Sequence, residues 1–578
     1  MTAIYQENNK SLQLGENCHT EYGWSNDIRE KILQFSFQIN RTNDDGIKML
    51  ESILTELLNS LSLELNLGTN LHMDVSRAYL KILYKMIGHT RDIVNGKGEY
   101  AISYMMIYTW YNFDPELSKF ALSCFVNIDA ENHPYGSWKD IKYFCEYCKN
   151  KSETTDHPLI QYSVQLINEQ LRKDLLNENC NNISLVSKWV PREKSKFSWL
   201  YEILSTDYFN DYLKTATSVE QIRRATLKCK TEYRKIISSL NRKIDTLQIK
   251  QCEQKWSSIN FNNVTSISLS KQKRAFLNLK KNGNTRYHFV KDRIECAEKF
   301  NEYIIKVLND KKEMKGKRVG MADFTKQALE LLGQADINIT EKELLNSQWR
   351  NNSSQNKALG KMIAMVDTSG SMEGDPLYVA IALGIRIAEK SILGKRIMTF
   401  SQKPTWVNLE KYPDFISQVN IIRHAQWGMN TNFYAALDMI LNAIVENKLT
   451  PEDAQDMVLV VLSDMQIDSC DKSNKQVLYD NVKQKYEMTG LRVHGKPYKP
   501  PHILFWNLRT TRGFPSLSNQ PNVSMLSGFN PTLLNLFCEE GIESLQSCTP
   551  WSILVKSLEN SRYEIMDKKI SNFLSLLK

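Results

Sequence analysis

Beyond about residue 358 the chain alternates short apolar segments with amphipathic ones, and this alternation limits its possible folds more than any other feature. Each apolar segment is short enough to be a buried strand, and each amphipathic segment has helical spacing. Parallel strands that are joined by crossover helices form a sheet with both faces covered. The pattern therefore predicts a doubly wound, parallel-sheet α/β domain. The predicted strands are Met362–Val366, Arg396–Phe400, Met457–Leu462 and His502–Trp506, and the predicted helices are Pro376–Lys390, Asn432–Val445 and Pro531–Phe537.

In the preceding part of the chain the apolar residues have helical spacing instead. Leu54, Leu57, Leu58 and Leu61 illustrate it, because their spacing places them on one face of a helix. A succession of short helices without a strict repeat length is typical of an irregular, HEAT-like helical-repeat domain. The expected fold class is therefore α plus α/β. The predicted divisions are a disordered N-terminus at 1–25, the helical-repeat domain at 26–350, the α/β domain at 358–545, and a C-terminal helical tail at 546–578 that packs back on the helical domain.

The composition indicates the class of protein and its compartment. The 578 residues are too many for one ordinary core, so two or more domains are expected. No apolar run approaches the roughly 20 residues that span a bilayer, and the polar first thirty residues predict no signal peptide. The 11 dispersed cysteines indicate reduced thiols in a cytosol-like compartment. Cys145 and Cys148 are the only closely spaced pair, and alone they do not predict a zinc site.

The stretch KMIAMVDTSGSMEGDP, residues 361–376, ends a predicted strand with several oxygen-bearing side chains. Asp367, Ser369 and Ser371 alternate along it, so an extended loop directs all three side chains to one side. Carboxylate and hydroxyl oxygens are hard ligands, and they suit Mg²⁺ better than zinc or copper. The stretch therefore predicts part of a magnesium site.

Two later segments supply further oxygen ligands. Thr431 precedes a predicted helix, and Asp464 follows the strand Met457–Leu462 at its carboxyl end. Ligands of open α/β sheets bind at the carboxyl ends of the strands. Two carboxylates balance the charge of a divalent ion while the hydroxyls add none. A coordination position is then left for water or for an acidic group of a partner.

Two other interpretations use the same residues. Asp and Ser are common helix N-cap residues, so the stretch is also compatible with a hydrogen-bonded turn that holds no metal. Met365–Gly370 also resembles an aspartic-protease motif, but that chemistry needs two carboxylates that share a proton. No second motif of this kind occurs in the chain, so the protein is not expected to be an enzyme.

In residue type, order and strand context, the set of oxygen ligands resembles the metal-ion-dependent adhesion site of von Willebrand factor A domains. The resemblance implies a von Willebrand factor A domain over residues 358–545 that binds Mg²⁺, or Mn²⁺, and an acidic protein ligand. It also implies that the serines and the threonine contact the metal directly, whereas the aspartates often act through bridging waters. The implied metal ligands are Asp367, Ser369, Ser371, Thr431 and Asp464.

A basic block lies inside the helical part of the chain. Residues 188–318 contain 30 Lys and Arg against 14 Asp and Glu, a local net charge of +16 in a chain whose total is +9. A basic block in an otherwise mildly acidic protein favours a surface for a polyanion, although solvated helix faces give the same count.

Several short motifs resemble one family of proteins. Tyr135–Asp140, with the letters YGSWKD, resembles the Gly-x-Trp-Lys-Asp element of the TROVE module, the ring of helical repeats in the Ro autoantigen family. The Ro family combines this helical toroid with a von Willebrand factor A domain, and it binds small structured RNAs and single-stranded RNA ends. The resemblance spans most of residues 75–545 and implies a TROVE-like helical domain and RNA binding. Segments that resemble an uncharacterised family related to it are Lys188–Ser195, Tyr233–Lys235, Lys255–Ile259 and Asn522–Phe529.

The leading hypothesis is a non-enzymatic, Ro-like RNA-binding scaffold, expected as a monomer in the cytoplasm, or in the host cytoplasm or virion if the chain is viral. RNA contacts are expected from cations at helical spacing, with nearby aromatic residues as core residues or as stacking surfaces. The alternative hypothesis is a protein-interaction adaptor with metal-dependent adhesion and no RNA binding. The cations are Arg223, Arg224, Lys228, Lys230, Arg234 and Lys235, and the aromatic residues are Tyr233, Trp256 and Tyr287.

Overall fold

The computed structural model describes most of the chain, and within the described ranges the chain forms two compact units. The sheet unit comprises Met1–Ile102, Thr265–Lys273 and Ile304–Lys578, and the helical unit comprises Ser103–Val264 and Arg274–Tyr303. Neither unit is one continuous segment. The described ranges are 12–14, 20–67, 70–128, 133–177, 183–310, 312–400, 404–425, 433–454, 457–465, 478–511, 513–538 and 547–576.

Helices make up most of the described residues, and eight short strands complete the regular structure. The helices are α1 Ile28–Gln38, α2 Asp44–Leu67, α3 Asn70–Arg91, α4 Tyr100–Phe113, α5 Pro115–Ser123, α6 Trp138–Ser152, α7 Pro158–Leu176, α8 Val186–Trp189, α9 Ser198–Tyr208, α10 Asn210–Lys214, α11 Val219–Ile244, α12 Leu247–Cys252, α13 Ser266–Phe276, α14 Lys291–Asn309, α15 Met321–Leu332, α16 Ile339–Ser353, α17 Asp375–Lys390, α18 Phe415–Arg423, α19 Phe433–Glu446, α20 Pro451–Ala454, α21 Leu478–His494, α22 Pro550–Leu558 and α23 Glu564–Leu576. The strands are β1 Leu12–Leu14, β2 Thr20–Tyr22, β3 Lys361–Asp367, β4 Arg396–Phe400, β5 Thr405–Asn408, β6 Met457–Ser463, β7 His502–Asn507 and β8 Val523–Ser527.

A six-stranded sheet with the order β5-β4-β3-β6-β7-β8 forms the framework of the sheet unit. Neighbouring strands are parallel except for β4 and β5, which pair antiparallel at one edge. Every residue of β6, β7 and β8 is buried, so both faces of these strands are covered. The predicted class, helical followed by α/β with a mainly parallel sheet, is confirmed. Pro531–Phe537, predicted as a helix, is a 3₁₀ helix.

One glycine permits α17 to pack closely on the strand that carries the candidate site. A Cβ atom at Gly384 would lie 2.5 Å from Cγ2 of Val366, nearer than side chains approach each other. Glycine therefore lets the backbone of α17 lie directly against β3. Because α17 follows the loop after β3, this packing fixes both ends of that loop.

The first three helices belong to the sheet unit, and this differs from the predicted helical domain at 26–350. α1 packs against β8, and the chain just after α1 covers the carboxyl end of β7. Nδ2 of Asn40 donates to the Asn507 carbonyl at 2.9 Å, and Nδ2 of Asn507 donates to the Phe37 carbonyl at 3.1 Å. These bonds satisfy buried polar groups that the end of the sheet would otherwise leave unpaired.

Both ends of the described chain also belong to the sheet unit. β1 and β2 pair antiparallel inside the segment that was predicted to be disordered, 1–25. Tyr22 then exchanges two backbone hydrogen bonds with Phe514, at 3.1 and 2.9 Å, and these bonds attach β2 to the segment after β7. At the other end, α22 and α23 pack against α3.

The helical unit contains α4 to α12 and most of α14, apart from the first residues of α4. Its interior holds two groups of aromatic rings in contact with one another. The two groups of rings are Tyr201, Tyr208 and Tyr233, and Phe261, Phe276 and Phe300.

None of the helices in the described ranges of the chain is long and apolar enough to cross a bilayer.

Candidate metal centre

Asp367 is the last residue of β3, and its side chain is fully buried. The backbone N–H of Ser369 donates to Oδ1 at 2.9 Å, and the hydroxyl of Ser463 donates to Oδ2 at 2.6 Å. Ser463 ends β6, the strand that pairs with β3 in parallel. The carboxylate is therefore held in place from two adjacent strands at the carboxyl edge of the sheet.

The two serine hydroxyls of the stretch lie side by side. Ser369 is in extended conformation, and the chain then makes one 3₁₀ turn over Gly370–Met372. This turn brings Oγ of Ser369 to 3.0 Å from Oγ of Ser371. The guanidinium of Arg509 donates to the carbonyl of Ser371 and fixes the turn from the loop after β7.

Asp464 immediately follows β6, and it is fully buried like Asp367. Burial is the main cause that raises the pKa of Asp367 to about 7, and the negative charge of Asp464 is the second. Hydrogen bonds from Ser463 and Ser369 act in the opposite direction. Two buried carboxyl groups this close favour a shared proton or a bound cation over two free negative charges.

The donor set fits a small hard cation. Two ligands at right angles on an octahedral Mg²⁺, with bonds of about 2.1 Å, lie about 3.0 Å apart, and the hydroxyls of Ser369 and Ser371 have this spacing. Among the described residues no group of three or more His, Cys, Asp or Glu side chains could hold a metal ion. A cation at this edge would therefore depend on hydroxyl ligands as well as on Asp367 and Asp464.

Of the five residues predicted to bind metal, the structure brings four together, namely Asp367, Ser369, Ser371 and Asp464. The fifth, Thr431, lies outside the described residues. Sequence reasoning did not include Ser463 and Arg509 among the site residues. Ser463 could have been found, because it ends a strand beside a predicted ligand. Arg509 carries no local signal, since only the sheet brings its loop to Ser371.

The closely spaced cysteines lie in the core of the helical unit. Cys145 and Cys148 are both fully buried on α6. Burial raises the pKa of the Cys145 thiol to about 12, and it raises that of Cys148 as well. In this structure the two side chains pack as small apolar residues of the core.

The six cations predicted to bind RNA all lie on α11, a helix of 26 residues in the helical unit. Each one has a partner within the same unit. Five of them form ion pairs with four glutamates, and Lys228 lies 4.0 Å from the ring centroid of Tyr212. The glutamates are Glu193, Glu202, Glu220 and Glu232, so the surface is less basic than the helix alone.

The three aromatic residues named beside this cluster have different environments. Tyr233 is fully buried and donates to Oδ1 of Asn168 at 3.0 Å, so it is a core residue. Trp256 is stacked by the guanidinium of Arg293, which lies 3.5 Å from the ring centroid. Tyr287 is 43% exposed, and of the three only its ring has a large open surface.

Comparison with known proteins finds similarity in both parts of the chain. A family model described as a domain of unknown function, DUF2828, matches residues 146–362, and a second such model, DUF7788, matches residues 361–572. Each covers less than half of the chain, and the two meet at the start of β3. A protein of Acanthamoeba polyphaga mimivirus, described as uncharacterized protein L728, is 28% identical over 500 residues, which are 83% of this chain and 79% of the viral protein.

Proposed function

We propose that the sheet unit is a von Willebrand factor A-like binding domain whose oxygen ligands hold Mg²⁺ or Mn²⁺. The residues at the carboxyl edge leave one coordination position open, and an acidic group of a protein partner occupies it. In this proposal the site binds and does not catalyse, and the protein acts in the cytoplasm. The ligands are Asp367, Ser369, Ser371, Thr431 and Asp464.

The observation that carries this proposal is the convergence of oxygen atoms at the ends of β3 and β6. Two buried carboxyl groups and two adjacent hydroxyls meet there, and the hydrogen bonds described for Asp367 come from Ser369 and Ser463, not from a lysine or an arginine. Such a set is costly to bury unless a cation or a proton compensates the charge. The contacts described for Asp367 and Ser369 include no His, Cys or Lys that could act as a catalytic base.

Replacement of Asp367 tests the metal site. Asp367→Asn keeps the shape of the side chain but removes one negative charge, so it also relieves the repulsion with Asp464. We expect Mg²⁺ to raise the melting temperature of the wild-type protein relative to EDTA, and to leave that of the variant unchanged.

Asp336→Asn is the matched control, because Asp336 is exposed in the same unit and lies far from the site in sequence. Its melting temperature should respond to Mg²⁺ as the wild type does. Equal Mg²⁺ responses in wild type and Asp367→Asn would contradict a metal site here, even if both proteins fold normally.

We also propose that the helical unit binds RNA through α11, because Arg223, Arg224 and Lys228 stay exposed on that helix despite their partners. Cations that neutralise phosphates make log K fall with log salt by about 0.7 to 0.9 per contact. A fourfold variant should therefore flatten the salt dependence of RNA binding by up to about three. The variant replaces Arg223, Arg224, Lys228 and Lys230 with Gln.

The control for this experiment removes the same number of charges from other parts of the helical unit. RNA binding by the control should keep the salt slope of the wild type. If the α11 variant binds RNA like the wild type at every salt concentration, α11 is a solvated face and the adaptor hypothesis is favoured. The control replaces Lys119, Lys173, Lys214 and Lys255 with Gln.

A further inference from the structure

A short hairpin between α13 and α14 projects from the helical unit. Leu279 and Thr285 form an antiparallel bridge across it. The N–H of Lys280 donates to the Asn284 carbonyl at 2.8 Å, and the N–H of Gly283 donates to the Lys280 carbonyl at 3.1 Å. Gly283 has a φ of 83°, which the turn requires and which a side chain would disfavour. The loop is thus a defined turn.

One buried asparagine closes the base of this hairpin. Asn278 is 2% exposed, its Oδ1 accepts from the N–H of Tyr287 at 3.1 Å, and its Nδ2 donates to the Tyr287 carbonyl at 2.9 Å. Its own carbonyl accepts from the N–H of Arg286 at 2.7 Å. The hairpin is therefore ordered before it meets any ligand, which lowers the entropy lost on binding.

The hairpin carries cations that the protein does not neutralise. Residues 280–291 contain four Lys or Arg and no Asp or Glu. No carboxylate in the described part of the chain lies within ion-pairing distance of Lys280, Lys281 or Arg286, whereas Lys291 lies 3.7 Å from Glu295. This differs from α11, where glutamates pair with most of the cations. Unpaired cations attract a polyanion more strongly, because no internal contact must first be broken.

Exposed aromatic rings lie among these cations. Phe289 is 98% exposed and Tyr287 is 43% exposed, and Val290 beside them is 45% exposed. The Arg286 guanidinium lies 5.6 Å from the ring centroid of Tyr287. When a flat partner covers an apolar ring that is almost fully in water, the free energy falls because apolar surface is removed from water.

We propose that the hairpin 280–290 is a binding site for single-stranded nucleic acid, with Phe289 and Tyr287 stacking on bases and the cations contacting the backbone phosphates. Single strands fit this surface better than a duplex, because only unstacked bases present their faces to a protein ring. The inference rests on the proposed RNA binding and narrows it to single strands at a second surface. RNA and DNA share this chemistry, so the experiment includes both.

The experiment measures fluorescence anisotropy of labelled oligouridine, of oligothymidine of the same length, and of a blunt RNA duplex. Two variants of the full chain are compared with the wild type. Phe289→Ala removes the stacking ring, and a threefold variant removes charge. In the threefold variant Lys280, Lys281 and Arg286 are replaced with Gln.

Stacking on one base contributes a factor of about five or more in affinity. We therefore expect Phe289→Ala to weaken oligouridine binding at least about fivefold, with little change in salt slope and little effect on duplex binding. The threefold variant should flatten the salt slope by about two. Equal losses with oligothymidine would assign the site to single strands in general, and losses with oligouridine alone would assign it to RNA.

Two controls match these changes. Leu176→Ala removes another exposed apolar side chain of the helical unit, 85% exposed, and a threefold lysine control removes equal charge. Both should bind oligouridine like the wild type. The threefold control replaces Lys119, Lys214 and Lys255 with Gln.

Three outcomes would overturn the inference. If both hairpin variants bind oligouridine like the wild type while the α11 variant does not, RNA binding stands and the hairpin site is wrong. If the wild-type protein binds no single strand, the hairpin site fails, and binding to the duplex alone would still support the α11 surface. If only Phe289→Ala lowers oligouridine affinity and the threefold variant keeps the salt slope of the wild type, Lys280, Lys281 and Arg286 do not contact the phosphates and the proposed site is wrong.

Discussion

Lys97 is a buried lysine at the junction of the first helices with the sheet. Its Nζ lies 2.6 Å from the Ser36 carbonyl, 3.2 Å from the Ile39 carbonyl and 2.6 Å from the Ser527 hydroxyl. Burial lowers the pKa of Lys97 to about 7, and the charge of Glu99 opposes this shift only partly. The three oxygen atoms can bond to an amine as well as to an ammonium group, because the Ser527 hydroxyl is able to donate.

This lowered pKa predicts a pH-dependent stability. The unfolded chain has the ordinary lysine pKa of 10.5, so between about pH 7 and 10.5 the unfolded state binds more protons than the folded state. The free energy of unfolding therefore rises with pH across this window, by up to about 1.4 kcal/mol per pH unit. Lys97→Met should remove this slope, as measured by urea unfolding at several pH values above 7.

Lys48→Met is the control, because Lys48 lies on α2 with 71% of its side chain exposed. The control should keep the pH slope of the wild type. If Lys97→Met and wild type show the same slope, Lys97 stays protonated in the folded protein.

At the scale of elements, the C-terminal segment is joined to the end of α3 by a buried ion pair. Nε and Nη2 of Arg562 donate to the two carboxylate oxygens of Asp92, both at 2.7 Å. The Tyr563 hydroxyl also donates to Asp92 at 3.1 Å and lies 3.2 Å from Nδ1 of His89. Both charges are almost completely buried, so each depends on the other for compensation.

Removal of one member of this ion pair should therefore lower the free energy of unfolding. Asp92→Ala leaves Arg562 buried without its carboxylate, and the nearby Arg318 then adds repulsion. We expect the free energy of unfolding to fall by about 3–5 kcal/mol, as measured by urea unfolding. The double variant Asp92→Leu with Arg562→Met should be less destabilised, since it removes both charges. A double variant no more stable than Asp92→Ala would show that packing, and not charge, controls this contact.

Local pattern was sufficient to predict four of the six strands of the large sheet. β3, β6 and β7 are built around continuous apolar runs, and such runs are recognisable because parallel central strands are buried on both faces. β4 has a shorter apolar pattern, because it also contains Arg396 and Thr399. β5 is a short edge strand with Trp406 36% exposed, and β8 mixes serines with apolar residues although all five residues are buried. Their pairing with neighbours, and not their composition, makes them strands.

The residues of the candidate site could be predicted where they follow a recognisable strand, and not where only a distant part of the chain brings them to the site. Asp367 and Asp464 follow recognisable strands, and neighbouring parallel strands must end at one edge of a sheet. Arg509 reaches Ser371 only because β7 and β3 share that sheet, and residues 138 positions apart leave no sign of this in a local pattern. The pairing of Lys230 and Arg234 with glutamates outside α11 was hidden for the same reason. The pairs with Glu220 and Glu232 have local helical spacing, and they could have been read from the sequence.

At the scale of the whole molecule, the division into units could not be deduced from the change in texture at residue 358. The helices of residues 26–102 resemble those that follow them in sequence, yet they belong to the sheet unit. The spacing of apolar residues in an amphipathic helix shows that one face is buried, but it does not show which element covers that face. Domain boundaries that depend on partners far along the chain therefore need the tertiary contacts themselves.

The contact of Asn40 with Asn507 joins residues that are 467 positions apart. A ribosome adds about 5–20 residues per second, so α1 emerges roughly 25–90 seconds before the strand that it caps. During that interval α1 can already pack on α2 and α3, which follow it directly in the chain, but the part of its surface that contacts β8 and α22 stays uncovered. One of the first segments to be made is thus among the last to complete its folded contacts.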